Sequence, residues 1–189
     1  MPIVDETDRT LESLIRACQP ETMLFPDDGR TPNNATLPLL LYRGAVVLPK
    51  NLDPAAVFEE LFVANGWGRS WRNGVYSFLH FHTRTHEVLG IARGKARVRF
   101  GGDRGETVTV TAGDVVVLPA GTGHQRIGPA ENLLVVGAYP PGGSYDQLEP
   151  DEADGAEARA RIARVRVPAT DPIYGSDGPL VSCWNGCGG

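Results

Sequence analysis

At 189 residues, with 41% hydrophobic and 22% charged positions, the chain is long enough for one domain with a sizeable core. A net charge of −5, with Lys and Arg scattered along the sequence, argues against nucleic-acid binding. No stretch approaches the roughly 20 apolar residues of a membrane span. The acidic start "MPIVDETDRTLESL" lacks the basic and apolar parts of a signal peptide, so a cytoplasmic protein with no membrane partner is expected. Three cysteines, an odd number, do not make a disulfide framework.

In chain order, "DETDRTLESLIRACQ" places Leu11, Leu14, Ile15 and Cys18 at helical spacing, with Thr7 or Asp8 as a cap. "FPDDGRTPNNATLP" reads as loop and "LPLLLYRGAVV" as a buried strand or strand pair. "NLDPAAVFEELFVANGWG" predicts a helix: Asp53 fits the N-cap, Pro54 the first turn and Gly66 the stop. Val57, Phe58, Leu61 and Phe62 form its apolar stripe. From Trp71 to Tyr139 short apolar runs recur between glycines. "KARVRF" and "ETVTVT" alternate strictly, which puts Ala96, Val98, Phe100, Val108 and Val110 on one face. "GGDRGE" between them is a hairpin loop. Even spacing of this kind predicts an antiparallel sandwich or barrel, not alternating strands and helices. "DEADGAEARARIARV" predicts a last helix. "PATDPIYGSDGPLVSCW" reads as an extended tail that packs back to bury Ile173, Tyr174, Leu180, Val181 and Trp184.

Three of the four histidines fall in "HFHTRTHEVLGIARG", and the fourth is His124 in "PAGTGHQRI". If Val75 to Phe81 is a strand, His80 and His82 point to the same face. Two imidazoles on an inward face need partners, and a divalent metal is one good reason for them. Trp67, Trp71, Tyr76 and Phe78 around them read as core and wall; Tyr76 and Phe78 share the histidine face and are candidates to line a pocket. Arg93, Arg97 and Arg99 read as a solvated strand face, Asp114 as a turn residue, and Cys183 and Cys187 as free thiols of the tail.

This arrangement resembles the cupin superfamily. The first cupin motif is matched at every fixed position by Gly74, His80, His82, Glu87 and Gly94. The second is matched by Gly113, Pro119, Gly121 and His124, with Gly128 where the family has Asn. The flanking "DDGRTPNN", "LVVGAYPPG" and "ATDPIYGSDGPLV" look like the single-domain bacterial cupins of the YjlB-like group, whose function is generally unassigned.

The resemblance implies an all-β fold, a double-stranded β-helix (cupin jelly roll) with a few peripheral α-helices. It would occupy residues 25–146, with an inserted helix near 54–65. Residues 1–24 would form an N-terminal helical extension, and residues 147–189 a helix and tail packed on the barrel. It also implies a metal held by His80, His82, Glu87 and His124. Three imidazoles and a carboxylate suit Fe, Mn, Ni, Cu or Zn without choosing among them. Read as a straight strand, His86 has the parity of His80 and His82, and Glu87 the opposite. The family pattern instead turns Glu87 inward, which requires a turn or bulge in "TRT". Both residues therefore stand as candidates, His86 also as the proton carrier of a catalytic site. By the same resemblance a homodimer and a small-molecule ligand or substrate are expected. The function is then either a metalloenzyme of dioxygenase, isomerase or lyase type, or a non-catalytic binding or sensing module; a metal-free scaffold is the third option.

Overall fold

The computed structural model describes residues 10–186. Its strands are β1 (Glu21–Met23), β2 (Leu39–Tyr42), β3 (Gly68–Asn73), β4 (Glu87–Phe100), β5 (Glu106–Thr111), β6 (Val115–Leu118) and β7 (His124–Tyr139). The α-helices are α1 (Pro54–Ala64), α2 (Gly155–Ile162) and α3 (Pro179–Gly186). All strand pairings are antiparallel, in the order β1-β2-β6-β4-β7-β3, with β5 on β4. The long β4 carries the architecture, because it pairs with β6 and β5 along one edge and with β7 along the other. The fold is the all-β jelly roll expected, with helices on its outside.

Strict alternation sends the side chains of each strand into two separate cores. Leu39, Leu41, Leu89, Ile91, Val98, Phe100, Val110, Val116 and Leu118 fill the inside of the barrel. Leu40, Tyr42, Val88, Ala92, Val115 and Val117 face the other way, against Phe58 and Phe62 of α1 and Leu180 and Trp184 of α3. β2 and β6 are therefore buried on both faces, which is why they read as unbroken apolar runs. Helix α1 starts where its cap predicts: the Asp53 carboxylate accepts from Ala55 N at 3.0 Å, with Pro54 in the first turn. No helix of the described residues is long and apolar enough to cross a membrane.

Three local expectations are corrected. Among the described residues of the expected N-terminal helical extension, the helical element is a four-residue 3-10 turn, Leu11–Leu14; the proposed caps Thr7 and Asp8 lie outside the described residues. Leu14 is buried, Ile15 pairs with Val46 and β1 joins the sheet, so tertiary pairing overrides the helical spacing. The strand expected over 75–81 ends earlier, at Asn73. Residues 74–79 are loop, and His80 and Phe81 make only single bridges, to His124 and Leu148. The tail is not extended throughout: α3 forms there, with the Asp171 carboxylate accepting from Leu180 N at 3.1 Å. Cys183 sits in α3, partly buried, and Cys187 lies outside the described residues.

Candidate metal centre

Backbone hydrogen bonds bring the two histidine segments together. His80 N donates to His124 O at 3.2 Å and His124 N to His80 O at 3.0 Å. One turn away, Gly121 N donates to His82 O at 2.7 Å. Gly121 has φ +94, and a Cβ there would stand 2.4 Å from the Asn33 carbonyl oxygen, so only glycine lets the "PAGTGH" turn close on its neighbour. Asn33 ties the same turn from the other side, accepting from Gly123 N at 3.1 Å. The bend at Thr83 and Arg84 resolves the parity question. It is held by Asp146, whose carboxylate accepts from Thr83 N at 2.8 Å, Thr83 Oγ1 at 2.5 Å and Arg84 N at 3.1 Å. Past the bend Glu87 shares the inward face of β4 with Leu89 and Ile91, while His86 shares the outward face with Val88.

The side chains of His80, His82 and His124 are all buried, and one ring nitrogen of each lies within 4.8 Å of the others. Every Nδ1 faces a carbonyl: His80 that of Phe78 (3.2 Å), His82 that of Asp146 (2.5 Å), His124 that of Thr122 (3.1 Å). A carbonyl oxygen only accepts, so each Nδ1 carries a hydrogen and each ring turns its Nε2 toward the cluster. Glu87 Oε2 stands 3.2 Å from His82 Nε2 and 3.3 Å from His124 Nε2. These contacts are electrostatic, not hydrogen bonds: His82 Nε2 and Glu87 Oε2 are buried with no hydrogen-bond partner. Ring nitrogens gathered around a buried carboxylate call for a positive charge between them. The donor set fits a divalent transition metal, and carbonyl-anchored Nδ1 groups are what orient metal-binding imidazoles.

Burial, reinforced by the nearby His124, pushes His80 down to about 3. Burial also opposes a charge on His82, yet the Glu87 carboxylate outweighs it and the net shift is upward. Burial disfavours ionised Glu87, but His82 and His124 outweigh it and hold the carboxyl below its ordinary range.

On the open side of the cluster lies a cavity of about 390 Å³. Its walls include Trp71, Tyr76, Tyr139 and Tyr145, and its rim includes Arg69 and Arg72. Tyr139 accepts from Trp71 Nε1 at 2.9 Å, and its hydroxyl hydrogen faces the Glu87 carboxylate. Burial and the Glu87 charge raise the Tyr139 phenol well above its ordinary range, so it stays protonated. Tyr76 lines this cavity, stacked on Phe78 at 4.8 Å between ring centroids; Phe78 is not among the lining residues, and with no strand over 75–81 the two share no strand face with the histidines.

His86 is not brought to the site. It is fully buried behind β4: Nδ1 accepts from Ala120 N at 2.9 Å, Nε2 donates to Arg166 O at 3.1 Å, and the ring packs on Trp184. Burial lowers its pKa to about 4, so it is neutral and committed to two backbone groups, which corrects its candidacy as proton carrier. Tyr139, Tyr145, Arg69 and Asp146 escaped the sequence reading, because no local pattern ties them to the histidines. Arg93 and Arg97 are exposed strand residues, and Asp114 caps a turn by accepting from Gly44 N and Thr111 N.

The chain belongs to the cupin family. Residues 69–141, which span both motifs, match the family described as Cupin. A curated relative, the uncharacterized protein YjlB of Bacillus subtilis strain 168, is 38% identical over 164 residues, covering 87% of this chain and 96% of that protein. The chain is therefore a YjlB-like cupin. Among solved structures, it resembles an acireductone dioxygenase from Bacillus anthracis with cadmium in its active centre, at 16% identity and TM-score 0.36, over 48% of this chain and 65% of that one. An oxalate decarboxylase variant of Bacillus subtilis matches at 21% identity and TM-score 0.36, over 63% of this chain and 29% of that one.

Proposed function

We propose that the chain is a metalloenzyme in which His80, His82, Glu87 and His124 hold one divalent transition metal (Fe, Mn, Ni or Zn) against a cavity for a small organic substrate. The observation that supports this most is the pair of buried, unpartnered atoms, His82 Nε2 and Glu87 Oε2, turned toward each other at the base of an open cavity. A purely structural metal would be closed off by protein ligands, whereas a cavity beside the ligands leaves positions for substrate. When bound, the metal would supply Lewis acidity or, as iron, a site for O2, which fits an isomerase, lyase or dioxygenase.

The chain's own residues have definable tasks. The Phe78, Asp146 and Thr122 carbonyls fix the imidazoles, so the site is shaped before the metal arrives. Glu87 contributes the negative charge that lowers the net charge of the loaded centre. Tyr139 lines the cavity and holds a proton at its hydroxyl beside Glu87, a place for the proton carrier that the sequence assigned to His86.

The test is elemental analysis of protein purified without tag or chelator, beside His82→Ala and His124→Ala. The parent is expected to carry about one transition metal per chain and both variants a small fraction of that. A parent that takes up no metal, even after incubation with Fe(II), Mn(II), Ni(II) and Zn(II), refutes the reading.

A further inference from the structure

Arg69 departs from the strand that carries it. Between Gly68 paired with Tyr139 and Trp71 paired with Gly137, β3 advances by three residues and β7 by two, so β3 holds one extra residue. Arg69 lies in this bulge at φ +54, a left-handed backbone conformation that non-glycine residues adopt at a cost. Bulges of this kind re-aim a side chain, and this one turns Arg69 to the rim of the metal cavity.

The guanidinium has no acidic partner among the described residues. Its Cζ stands 5.2 Å over the centre of the Tyr139 ring, and its one hydrogen bond, from Nη2 to the Pro140 carbonyl, is long at 3.4 Å. Arg72, on the same rim, makes the contrast: it is neutralised by Asp53 at 2.9 Å and Glu59 at 2.7 Å. The cavity thus has one exposed, uncommitted fork of N–H donors at its mouth, aromatic walls in Trp71, Tyr76, Tyr139 and Tyr145, and the histidines at its base. A planar fork matches a planar carboxylate in two parallel hydrogen bonds, and flat apolar walls match a flat or apolar body. A phosphate dianion would call for more than one free cation or backbone N–H group, and the rim offers a single free arginine.

We propose that Arg69 anchors the carboxylate of a small organic acid at the mouth of the cavity, leaving the other end of that acid to face the histidine cluster. This deepens the metalloenzyme reading, on which the role of the far end rests; the anchor itself does not need the metal.

The test is calorimetric binding of acid and amide pairs: benzoate with benzamide, phenylacetate with phenylacetamide, and cinnamate with cinnamamide, with phenyl phosphate alongside. The proteins are the parent, Arg69→Gln and Arg69→Lys, each metal-loaded and metal-free, with metal content read on the same samples. The parent is expected to bind at least one acid about tenfold or more tighter than its amide. Arg69→Gln is expected to bring acid and amide close to parity without changing amide affinity or metal content, and Arg69→Lys to keep part of the preference. If no acid outcompetes its amide, or phenyl phosphate outcompetes every acid, the proposal is overturned. An acid preference untouched by Arg69→Gln but lost with the metal overturns the anchor and upholds the metal centre. A preference that depends on Arg69 in protein that takes up no metal upholds the anchor and refutes the metalloenzyme reading.

Discussion

Replacing His86 by Ala separates a structural imidazole from a catalytic one. The side chain is fully buried, accepts from Ala120 N and donates to Arg166 O. Its removal strands the Ala120 N–H inside the protein, at a cost of about 1–3 kcal/mol. The void against Trp184 adds about 2 kcal/mol. The sum is about 4 kcal/mol, which in a domain of this size lowers Tm by roughly 10 °C. His86→Asn restores an acceptor for Ala120 and should recover about half of the loss. Urea denaturation of the metal-free proteins, followed by circular dichroism, measures both variants, and elemental analysis checks that the folded variants still take up metal. A loss under about 1 kcal/mol in His86→Ala would refute the structural reading and return His86 to the list of functional groups.

Asp146→Ala frees the bend at Thr83 and Arg84 and loosens the segment whose carbonyl orients His82; metal affinity, read by competition with a chelator, should fall about 10- to 100-fold while the fold survives. Asp28 is partly buried, which works against its charge, yet its carboxylate accepts from the backbone N–H of Arg30, Thr31 and Asp103, and these outweigh burial to lower its pKa below 3.8. A carboxylate with a lowered folded pKa stabilises above its unfolded value and loses that contribution as pH falls. The stability gap between the parent and Asp28→Ala should therefore be present at pH 7 and shrink as pH drops below about 4. A gap that is constant with pH would assign the effect to packing and not to the charge.

Much of this was legible in the sequence where a pattern is local. The alternation of Lys95–Phe100 and Glu106–Thr111 forms a hairpin as written, with Val98 opposite Val108 and Ala96 opposite Val110. Asp53 and Pro54 announce α1 because caps and first turns are set by neighbouring residues. The histidine spacing located the cluster for the same reason. What stayed hidden depends on distant partners. Leu11, Leu14 and Ile15 have helical spacing, but Ile15 is claimed by Val46, thirty-one residues on. α3 follows a run of Pro and Gly and is anchored by Asp171 and buried Trp184, neither of which a local window weighs. Which of His86 and Glu87 faces inward depends on the bend at Thr83 and Arg84, held by Asp146 some sixty residues downstream. Arg69 faces the cavity because of one extra residue in β3, which shows only when β3 is set against β7.

In the proposed centre the three Nε2 atoms and the Glu87 carboxylate share one metal ion. The most direct measurement is anomalous diffraction, at the absorption edge of the metal found by elemental analysis, from crystals of protein reconstituted with it. A single strong peak per chain is expected, about 2.0–2.3 Å from Nε2 of His80, His82 and His124 and from a Glu87 oxygen, with its remaining side toward the cavity. A map with no peak at the cluster, or with the metal held by other residues, would contradict it.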